Sequence, residues 1–240
     1  MPNMLFTEKE LQKSEKPLYY YPNSVISYSA LNSFENCPVD FYFHYYNGIK
    51  WPSKYSMKMG ESVQNAINLS SEGKDHKKAL ENLEKKDSET ADFLIKKLKP
   101  VEGLISCDKE YIADFGVGIP IMFIPDILTN TAVLENKYTS GFYTASTVKK
   151  HKQGTIYYYG VDKLFGFKPK VFYQIFNYKK KTIELVEVKK TEEDVNEMLS
   201  WMKNTLANIK KSYDTGIWSG HHGKFECNLG KACPIKYKIW

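Results

Sequence analysis

The sequence has no run of the roughly eighteen consecutive apolar residues that a membrane-spanning helix requires. Its first residues, MPNMLFTEKELQKSEK, also lack the apolar stretch of a secretory signal peptide. From these absences we expect a cytoplasmic protein without a membrane partner. Cysteine is scarce too, because the chain has only four, and they are too widely scattered for a disulfide framework. Reduced thiols or metal ligands are the remaining interpretations.

Acidic residues are outnumbered, with 28 Asp and Glu against 34 Lys and Arg, which gives a net charge of +6. This balance suits a polyanionic partner such as nucleic acid. Many of the 18 tyrosines are interleaved with lysine, so that rings could stack on unpaired bases while ammonium groups meet phosphates. An AT-rich genome that favours Lys and Tyr codons would give the same composition, and composition alone leaves both explanations open.

Hydrophobic residues make up 42% of the 240 residues, which is enough for one globular domain. Within this single domain, composition distinguishes four parts. They are an irregular arm over 1–23, a helical part over 24–103, a core of strands and helices over 104–215 and a cysteine-containing tail over 216–240.

Hydrophobic periodicity predicts the elements of the helical part. SVISYSALNSFENCPVDFYFHYYNGI begins with serines suited to capping, and Pro38 divides it into two short helices. MKMGESVQNAINL predicts an amphipathic helix. DHKKALENLEKKDSETADFLIKKLKP is charged and has few large apolar residues, so we expect a solvated helical insertion that ends at Pro100.

The remaining pattern alternates strands and helices. LISCDKEYIADF, IPIMFIPDIL and TAVLENKY predict three strands, and TASTVKKHKQGTIYYYGVDKLFGF returns to helical spacing. KVFYQIFNY and KTIELVEV predict a hairpin, and TEEDVNEMLSWMKNTLANIKKSY predicts a last amphipathic helix. This order predicts a mixed α/β fold with one central sheet flanked by helices.

The segment FIPDILTNTAVLENKYTSG could carry chemistry. Asp126 closes one strand, and Glu135 and Lys137 share a face of the next. Two carboxylates beside an ammonium group make an oxygen-rich site for Mg²⁺ or Mn²⁺, which can activate water and offset charge on phosphorus. The residues therefore suit phosphodiester hydrolysis. Taken alone, the segment equally fits a Pro-Asp turn before a charged strand end.

Four segments resemble, in the same order, the RecB-like branch of the PD-(D/E)XK nucleases. ISYSALNSFENCPVDFYFHYY resembles its N-terminal signature, PD with ENKYTS its catalytic core, QGTIYYYG its Q-x-x-x-Y helix, and ECNLGKACPIKY its C-terminal cysteine segment. The resemblance spans roughly Ser27 to Cys233. It implies a restriction-endonuclease-like core with a central mixed sheet.

The resemblance also implies roles for individual residues. Asp126 and Glu135 are expected to hold Mg²⁺ or Mn²⁺, and Lys137 is expected to be the catalytic lysine. Gln153 and Tyr157, one helical turn apart, are expected to contact the substrate. An ordinary helix face would explain the last pair without any function.

One departure from the family lies in MKMGESVQNAI, where the usual G-x-x-x-H motif has Gln64 in place of the metal-binding histidine. Glutamine is a weaker oxygen ligand, so we expect Gln64 and Glu61, one turn earlier, to contribute jointly to the metal site. The carbonyl oxygen of Asn136 is a further candidate ligand. A solvated helix face explains Glu61 and Gln64 equally well.

The second departure concerns cysteine. Many relatives hold a four-iron cluster with one N-terminal cysteine and three C-terminal ones. This chain offers Cys37, Cys227 and Cys233, and Lys224 stands where the remaining cysteine is expected. We therefore do not expect a complete iron–sulfur cluster. His221 or His222 could complete a Cys₃His site for zinc or an unusual cluster. Alternatively, the three thiols pack as small buried hydrophobes.

Together these observations predict a metal-dependent DNA exonuclease that acts on single strands or duplex ends in recombination, repair or phage replication. One alternative is a CRISPR-associated RecB-like nuclease that trims new spacers, against which the incomplete cysteine set argues. Another is a DNA-binding module that has lost catalysis, an alternative suggested by Gln64.

Overall fold

The structure, a computed structural model, describes residues 12–13, 25–50, 55–141 and 143–219. Most of the predicted arm and nearly all of the predicted tail lie outside these residues. Contacts group the chain into two compact units. Unit 1 takes in the described residues of Met1–Pro52, Asp114–Met122 and Leu199–Trp240, and unit 2 those of Ser53–Ala113 and Phe123–Met198. That the whole chain forms one domain stays a prediction.

The first elements belong to unit 1. They are β1 (Gln12–Lys13), β2 (Ile26–Ser27), α1 (Tyr28–Asn36), α2 (Pro38–Phe41), a π-helical turn (Tyr42–Tyr46) and β3 (Ile49–Lys50). The Ser27 hydroxyl accepts a hydrogen bond from Ala30 N at 3.2 Å, which caps α1. Pro38 opens α2, a position where its missing N–H costs nothing. The two predicted short helices are confirmed, whereas β1, paired antiparallel with β3, falls in the predicted irregular arm.

The helical segments of unit 2 are α3 (Tyr55–Ser71), a 3₁₀ turn (Lys77–Leu80) and α4 (Lys85–Ile95). The amphipathic helix is confirmed, with Val63, Ala66 and Ile67 buried on one face. The predicted solvated insertion is wrong. Its apolar side chains are few, but most of them are buried in one core cluster, including Leu80, Leu94 and Ile95.

The predicted number of strands between Leu104 and Tyr138 is also wrong, because the chain forms five. They are β4 (Leu104–Cys107), β5 (Tyr111–Ala113), β6 (Ile121–Phe123), β7 (Ile127–Thr129) and β8 (Ala132–Thr139). Pro125 stands between β6 and β7, where it cannot donate to a strand ladder. Asp108 follows β4 with a φ of 44°, which ends the extended backbone.

The later elements agree with the sequence pattern. They are α5 (Ala145–Lys149), α6 (Lys152–Phe165), β9 (Lys170–Asn177), β10 (Thr182–Glu187) and α7 (Glu192–Thr215). The predicted hairpin is confirmed, since β9 and β10 pair antiparallel from Asn177 opposite Thr182. Gly166 ends α6 with a φ of 73°, a conformation that glycine adopts at no steric cost.

Five strands of unit 2 form one sheet in the order β10-β9-β8-β7-β4. The β8–β9 pair is parallel and the other three pairs are antiparallel, so the sheet is mixed. One face carries Ile127 and Phe176, which pack with α3 and α4. The opposite face carries Val171 and Tyr173, which pack with Val148 of α5. The predicted mixed α/β fold with a sheet flanked by helices is confirmed.

In unit 1, β2 runs parallel to β6, with Ile26 opposite Ile121. Aromatic rings cluster here, with Phe41 stacked on Trp218 at 6.0 Å between centroids. No helix in the described part of the chain combines the length and the apolar character needed to cross a membrane.

Candidate active site

Three residues named from the sequence meet where β7 and β8 run side by side. Asp126 directly precedes β7, and the pairing of Ile127 with Leu134 brings it next to the middle of β8. Its Oδ2 atom accepts a hydrogen bond from Asn136 N at 2.5 Å. Glu135 and Lys137 lie two positions apart on β8, so their side chains share one face of the sheet.

Glu135 and Lys137 form a largely buried ion pair. The Lys137 Nζ atom lies 2.5 Å from Glu135 Oε1, and the two side chains are 21% and 3% exposed. Removing either partner from such a pair would leave an uncompensated buried charge, which destabilises a fold strongly. The pair therefore fixes the lysine ammonium group at the carboxylate.

Tyr157 of α6 holds the other oxygen of the same carboxylate. Its hydroxyl lies 2.9 Å from Glu135 Oε2 and also 2.9 Å from the carbonyl oxygen of Ile124. A hydroxyl has one proton, and the charged carboxylate is the stronger acceptor of the two. Gln153 in turn donates from Nε2 to the Tyr157 hydroxyl oxygen at 2.7 Å.

The predicted Q-x-x-x-Y face therefore points at the acidic residues. Tyr157 is 3% exposed and its hydroxyl contacts Glu135, and its contact with a substrate stays a prediction. Gln153 is half-buried, and its contact with a substrate stays a prediction.

Burial and like charge act together on Asp126. Burial raises the pKa of this carboxyl well above its ordinary value, and the negative charge of Glu135 raises it further. The hydrogen bond from Asn136 N works in the opposite direction. Two carboxyl groups are thus held close enough that ionising both is unfavourable, which is the situation that a cation relieves.

Lys137 keeps its proton in this setting. Burial would lower the pKa of its ammonium group, but the Glu135 carboxylate, with help from Asp126, outweighs burial and raises it. The lysine is therefore a positively charged group at neutral pH and has no role as a proton acceptor in this state.

A third acidic residue, which the sequence pattern did not single out, lies beside Asp126. Asp108 follows β4 and donates from its backbone N to the Asp126 carbonyl oxygen at 3.1 Å. Burial raises the pKa of the Asp108 carboxyl, with a further contribution from the charge of Glu135. No local sequence signal marks Asp108, because the pairing of β4 with β7 brings it to the site.

Helix α3 reaches this acidic group through two amides. Gln64 donates from Nε2 to Asn68 Oδ1 at 2.9 Å, and Asn68 donates from Nδ2 to Asp108 Oδ2. Gln64 thus lies on the helix face expected from the G-x-x-x-H comparison, but it contacts Asp108 through Asn68. The Glu61 side chain is exposed and forms no hydrogen bond or ion pair with another residue that the structure describes. The metal-binding roles of Gln64 and Glu61 stay predictions.

Asn136 contributes its backbone to the site and its side chain to the other side of the sheet. Since neighbouring residues of a strand point to opposite faces, its amide faces away from Glu135 and Lys137. Both polar atoms of that amide are buried without a hydrogen-bond partner in the described part of the chain. That the carbonyl oxygen of Asn136 binds the metal stays a prediction.

The cysteine prediction falls mostly outside the described residues, because Cys227, Cys233, His221 and His222 all lie beyond residue 219. Cys37 is described, and it is a buried free thiol between α1 and α2. Neither an iron–sulfur cluster nor zinc at these residues is tested, and both stay predictions.

The donor set suits a hard divalent ion. Asp126 and Glu135 offer only oxygen atoms, and Mg²⁺ is usually held by one or two carboxylates together with water and phosphate oxygens. Within residues 25–50, 55–141 and 143–219, no three His, Cys, Asp or Glu side chains are grouped as metal ligands. The residues present therefore fit an ion held by two carboxylates and do not fit a closed all-protein cage.

A comparison with solved structures shows the fold. No family model matches the chain, and no curated protein matches its sequence. The structure is similar to the crystal structure of a protein from Eubacterium rectale named "Putative exonuclease", with a TM-score of 0.66 over 97% of this chain and 93% of that chain. The two sequences are 14% identical, so the likeness shows a shared fold.

Proposed function

We propose that this chain is a metal-dependent nuclease of the RecB-like branch of the PD-(D/E)XK type, which hydrolyses phosphodiester bonds in DNA. The observation that carries the proposal is the meeting of Asp126, Glu135 and Lys137 at one place on the mixed sheet. The name of the Eubacterium rectale protein, which has the same fold, supports the same class of activity.

Asp126 and Glu135 are the residues that would hold Mg²⁺ or Mn²⁺. Burial, and after it the charge of Glu135, raises the pKa of the Asp126 carboxyl, and a bound cation would offset this penalty on the charged form. When bound, such an ion lowers the pKa of a coordinated water and offsets negative charge on the phosphate. Tyr157 holds Glu135 in place through its hydroxyl, and Asn136 N does the same for Asp126.

Lys137 supplies the fixed positive charge of the mechanism. Its ammonium group is kept protonated and is held at Glu135, so it can donate hydrogen bonds to a phosphate oxygen or orient the attacking water. In the reaction the water oxygen forms a bond to phosphorus and gives up a proton to solvent, while the ester P–O bond breaks and the leaving oxygen takes a proton from solvent. A preorganised donor at the place where charge develops is worth several kcal/mol, on the order of a hundredfold in rate or more.

The finer proposal is an exonuclease that acts on single strands or duplex ends, with a role in recombination, repair or phage replication. The net charge of +6 and the name of the Eubacterium rectale protein support nucleic acid as the substrate and an end-directed activity. Neither observation distinguishes the biological pathways, which are proposed from the family resemblance alone.

A second candidate is a DNA-binding module with weakened catalysis. Gln64 replaces the histidine ligand of the family, and its amide is already bonded to Asn68. Asp126, Glu135 and Lys137 are nevertheless all present. Asp126 contacts the backbone of β8 at Asn136, and Lys137 pairs with Glu135 on the same strand, which favours the enzyme.

The test is cleavage of labelled DNA by the purified protein. Single-stranded, duplex and circular DNA are incubated with Mn²⁺ or Mg²⁺, beside an EDTA control, a Lys137→Ala variant and a Lys170→Ala variant as the matched control. Lys170 is an exposed lysine at the start of β9. Metal-dependent cleavage that survives Lys170→Ala and is lost in Lys137→Ala supports the nuclease, and cleavage confined to strands with ends supports the exonuclease. Binding without cleavage under every metal condition would establish the second candidate instead.

A further inference from the structure

An open groove of about 540 Å³ lies in unit 2 between the chain that follows α4 and the β9–β10 hairpin. Lys97 and Lys99 line one side, and Lys181 of the hairpin turn lines the other. Gln174 and Thr182 add polar side chains, and Leu98 and Ile183 add apolar ones. The groove therefore combines three ammonium groups with hydrogen-bonding and apolar surface.

The lysines of this groove are not neutralised by nearby acids. Within the residues that the structure describes, none of Lys97, Lys99 and Lys181 forms an ion pair with a carboxylate. Lys97 instead donates to the Lys181 carbonyl oxygen at 3.2 Å, and its Nζ lies 4.1 Å from the centroid of the Phe93 ring. These contacts hold the two sides of the groove together while leaving their positive charge unpaired.

More positive charge surrounds the groove. Lys179 and Lys180 are exposed in the same hairpin turn as Lys181, so three lysines follow one another there. The Phe93 ring, 47% exposed, lies beside the groove with Lys181 Nζ 5.9 Å from its centroid. A concentration of like charge on one surface attracts polyanions and raises their local concentration.

The groove lies on the sheet face opposite to the candidate active site. In the parallel β8–β9 register, Gln174 is the partner of Asn136, whereas Glu135 and Lys137 are partners of Tyr173 and Ile175. Since alternate residues of a strand point to opposite faces, Gln174 lies on the side away from the acidic residues. The groove is thus a separate feature of unit 2.

We propose that this groove binds the phosphodiester backbone of a nucleic-acid strand away from the bond that is cut. The choice of nucleic acid as the polyanion rests on the proposed nuclease function. The groove is open to solvent, which suits a strand that runs past it better than an enclosed free nucleotide. The ammonium groups of Lys97, Lys99 and Lys181 would meet the phosphates of the strand.

The test measures binding in EDTA, so that no cleavage occurs. A Lys99→Gln, Lys181→Gln double variant is compared with a Lys203→Gln, Lys211→Gln double variant, which removes the same charge from exposed positions of α7. Fluorescence anisotropy with labelled poly(dT) and with a labelled dinucleotide gives the affinity across a salt series. Thermal melting of both variants checks that they are folded.

We expect the groove variant to bind poly(dT) about tenfold more weakly than the control variant. The slope of its log affinity against log salt concentration should be smaller in magnitude by about 1.4, which corresponds to two lost phosphate contacts on a single strand. Equal poly(dT) affinities for the two variants would overturn the proposal. A loss of dinucleotide binding as large as the loss for poly(dT) would overturn it too, by making the groove a nucleotide pocket.

The outcome is distinguishable from that of the proposed nuclease. If the wild type does not cleave DNA but the groove lysines govern strand binding, the nuclease proposal fails and the groove proposal holds. If the wild type cleaves DNA but strand binding does not depend on these lysines, the groove proposal fails and the nuclease proposal holds.

Discussion

The Tyr157 hydroxyl lies 2.9 Å from Glu135 Oε2 and joins α6 to β8. The other oxygen of the same carboxylate receives the Lys137 ammonium group at 2.5 Å. Glu135 is therefore held from two sides by residues of different elements. Groups that orient a ligand in this way commonly affect metal binding and activity nearly as much as the ligand itself.

Replacing Tyr157 by Phe tests this relationship. We expect DNA cleavage to fall about tenfold to a hundredfold, because Glu135 loses one of its two partners while the ring still fills its site. Steady-state cleavage over a Mn²⁺ titration measures the effect, which should include a weaker apparent metal affinity.

Tyr158→Phe is the matched control, since Tyr158 is the next residue of α6 and packs against the cluster of Val171 and Tyr173. It should retain nearly full activity. If both variants cleave DNA as well as the wild type, Tyr157 does not position Glu135.

Replacing Asp126 by Asn should stabilise the metal-free protein while removing cleavage. The pKa of the folded carboxyl is raised by burial and by Glu135, so the folded state binds this proton more tightly than the unfolded state. Stability of the wild type should therefore fall as pH rises from the unfolded pKa through the raised folded pKa. The variant lacks this loss and should therefore be more stable than the wild type at neutral pH.

Thermal melts in EDTA from acidic to neutral pH check this expectation. Asn keeps an oxygen that can accept the hydrogen bond from Asn136 N, so the backbone contact is preserved in the variant. A variant that is less stable than the wild type at neutral pH would contradict the electrostatic account of Asp126.

Adding Mg²⁺ or Mn²⁺ should raise the melting temperature of the wild type. A ligand that binds only the folded state stabilises it by about 2.7 kcal/mol at a hundred times its dissociation constant. Asp126→Asn and Glu135→Gln should show little of this increase, because each removes one of the two carboxylates. An increase of equal size in the wild type and both variants would place the ion elsewhere.

Two helical glycines give a test of the packing between α6 and the strands. A Cβ at Gly160 would lie 2.5 Å from the Phe123 ring, whereas a Cβ at Gly60 of α3 would meet nothing within 4 Å. Gly160→Ala should therefore destabilise the protein by about 1–3 kcal/mol, and Gly60→Ala should stabilise it by about 0.5–1 kcal/mol. Urea denaturation of the two variants measures both, and a stable Gly160→Ala would show that Phe123 moves freely.

The sequence predicted the long elements because their patterns are periodic. The apolar face of α3, the β9–β10 hairpin and the last helix all follow from residue spacing alone. The strand count failed because the sequence pattern predicts one strand for each of LISCDKEYIADF and IPIMFIPDIL. The positive φ of Asp108 and the break at Pro125 divide each of them into two strands. The charged insertion failed for a different reason, because a few buried residues such as Leu94 suffice to place a helix in the core.

The candidate site was predictable only in part. Asp126, Glu135 and Lys137 lie within one short stretch of sequence, and strand alternation brings them together. Asp108 and Asn68 join the site through pairing of β4 with β7 and through the packing of α3, and neither contact has a local signal. The direction of the Tyr157 hydroxyl likewise depends on how α6 lies against β8.

The shared carboxylate of Glu135 has a consequence for how substitutions combine. In the proposed mechanism Lys137 and Tyr157 act through the same carboxylate, so replacing both should reduce activity by less than the product of the two separate reductions. A double-mutant cycle on cleavage rates would give this coupling free energy directly. A distant pair, such as Lys137→Ala with Gly60→Ala, should show no coupling free energy.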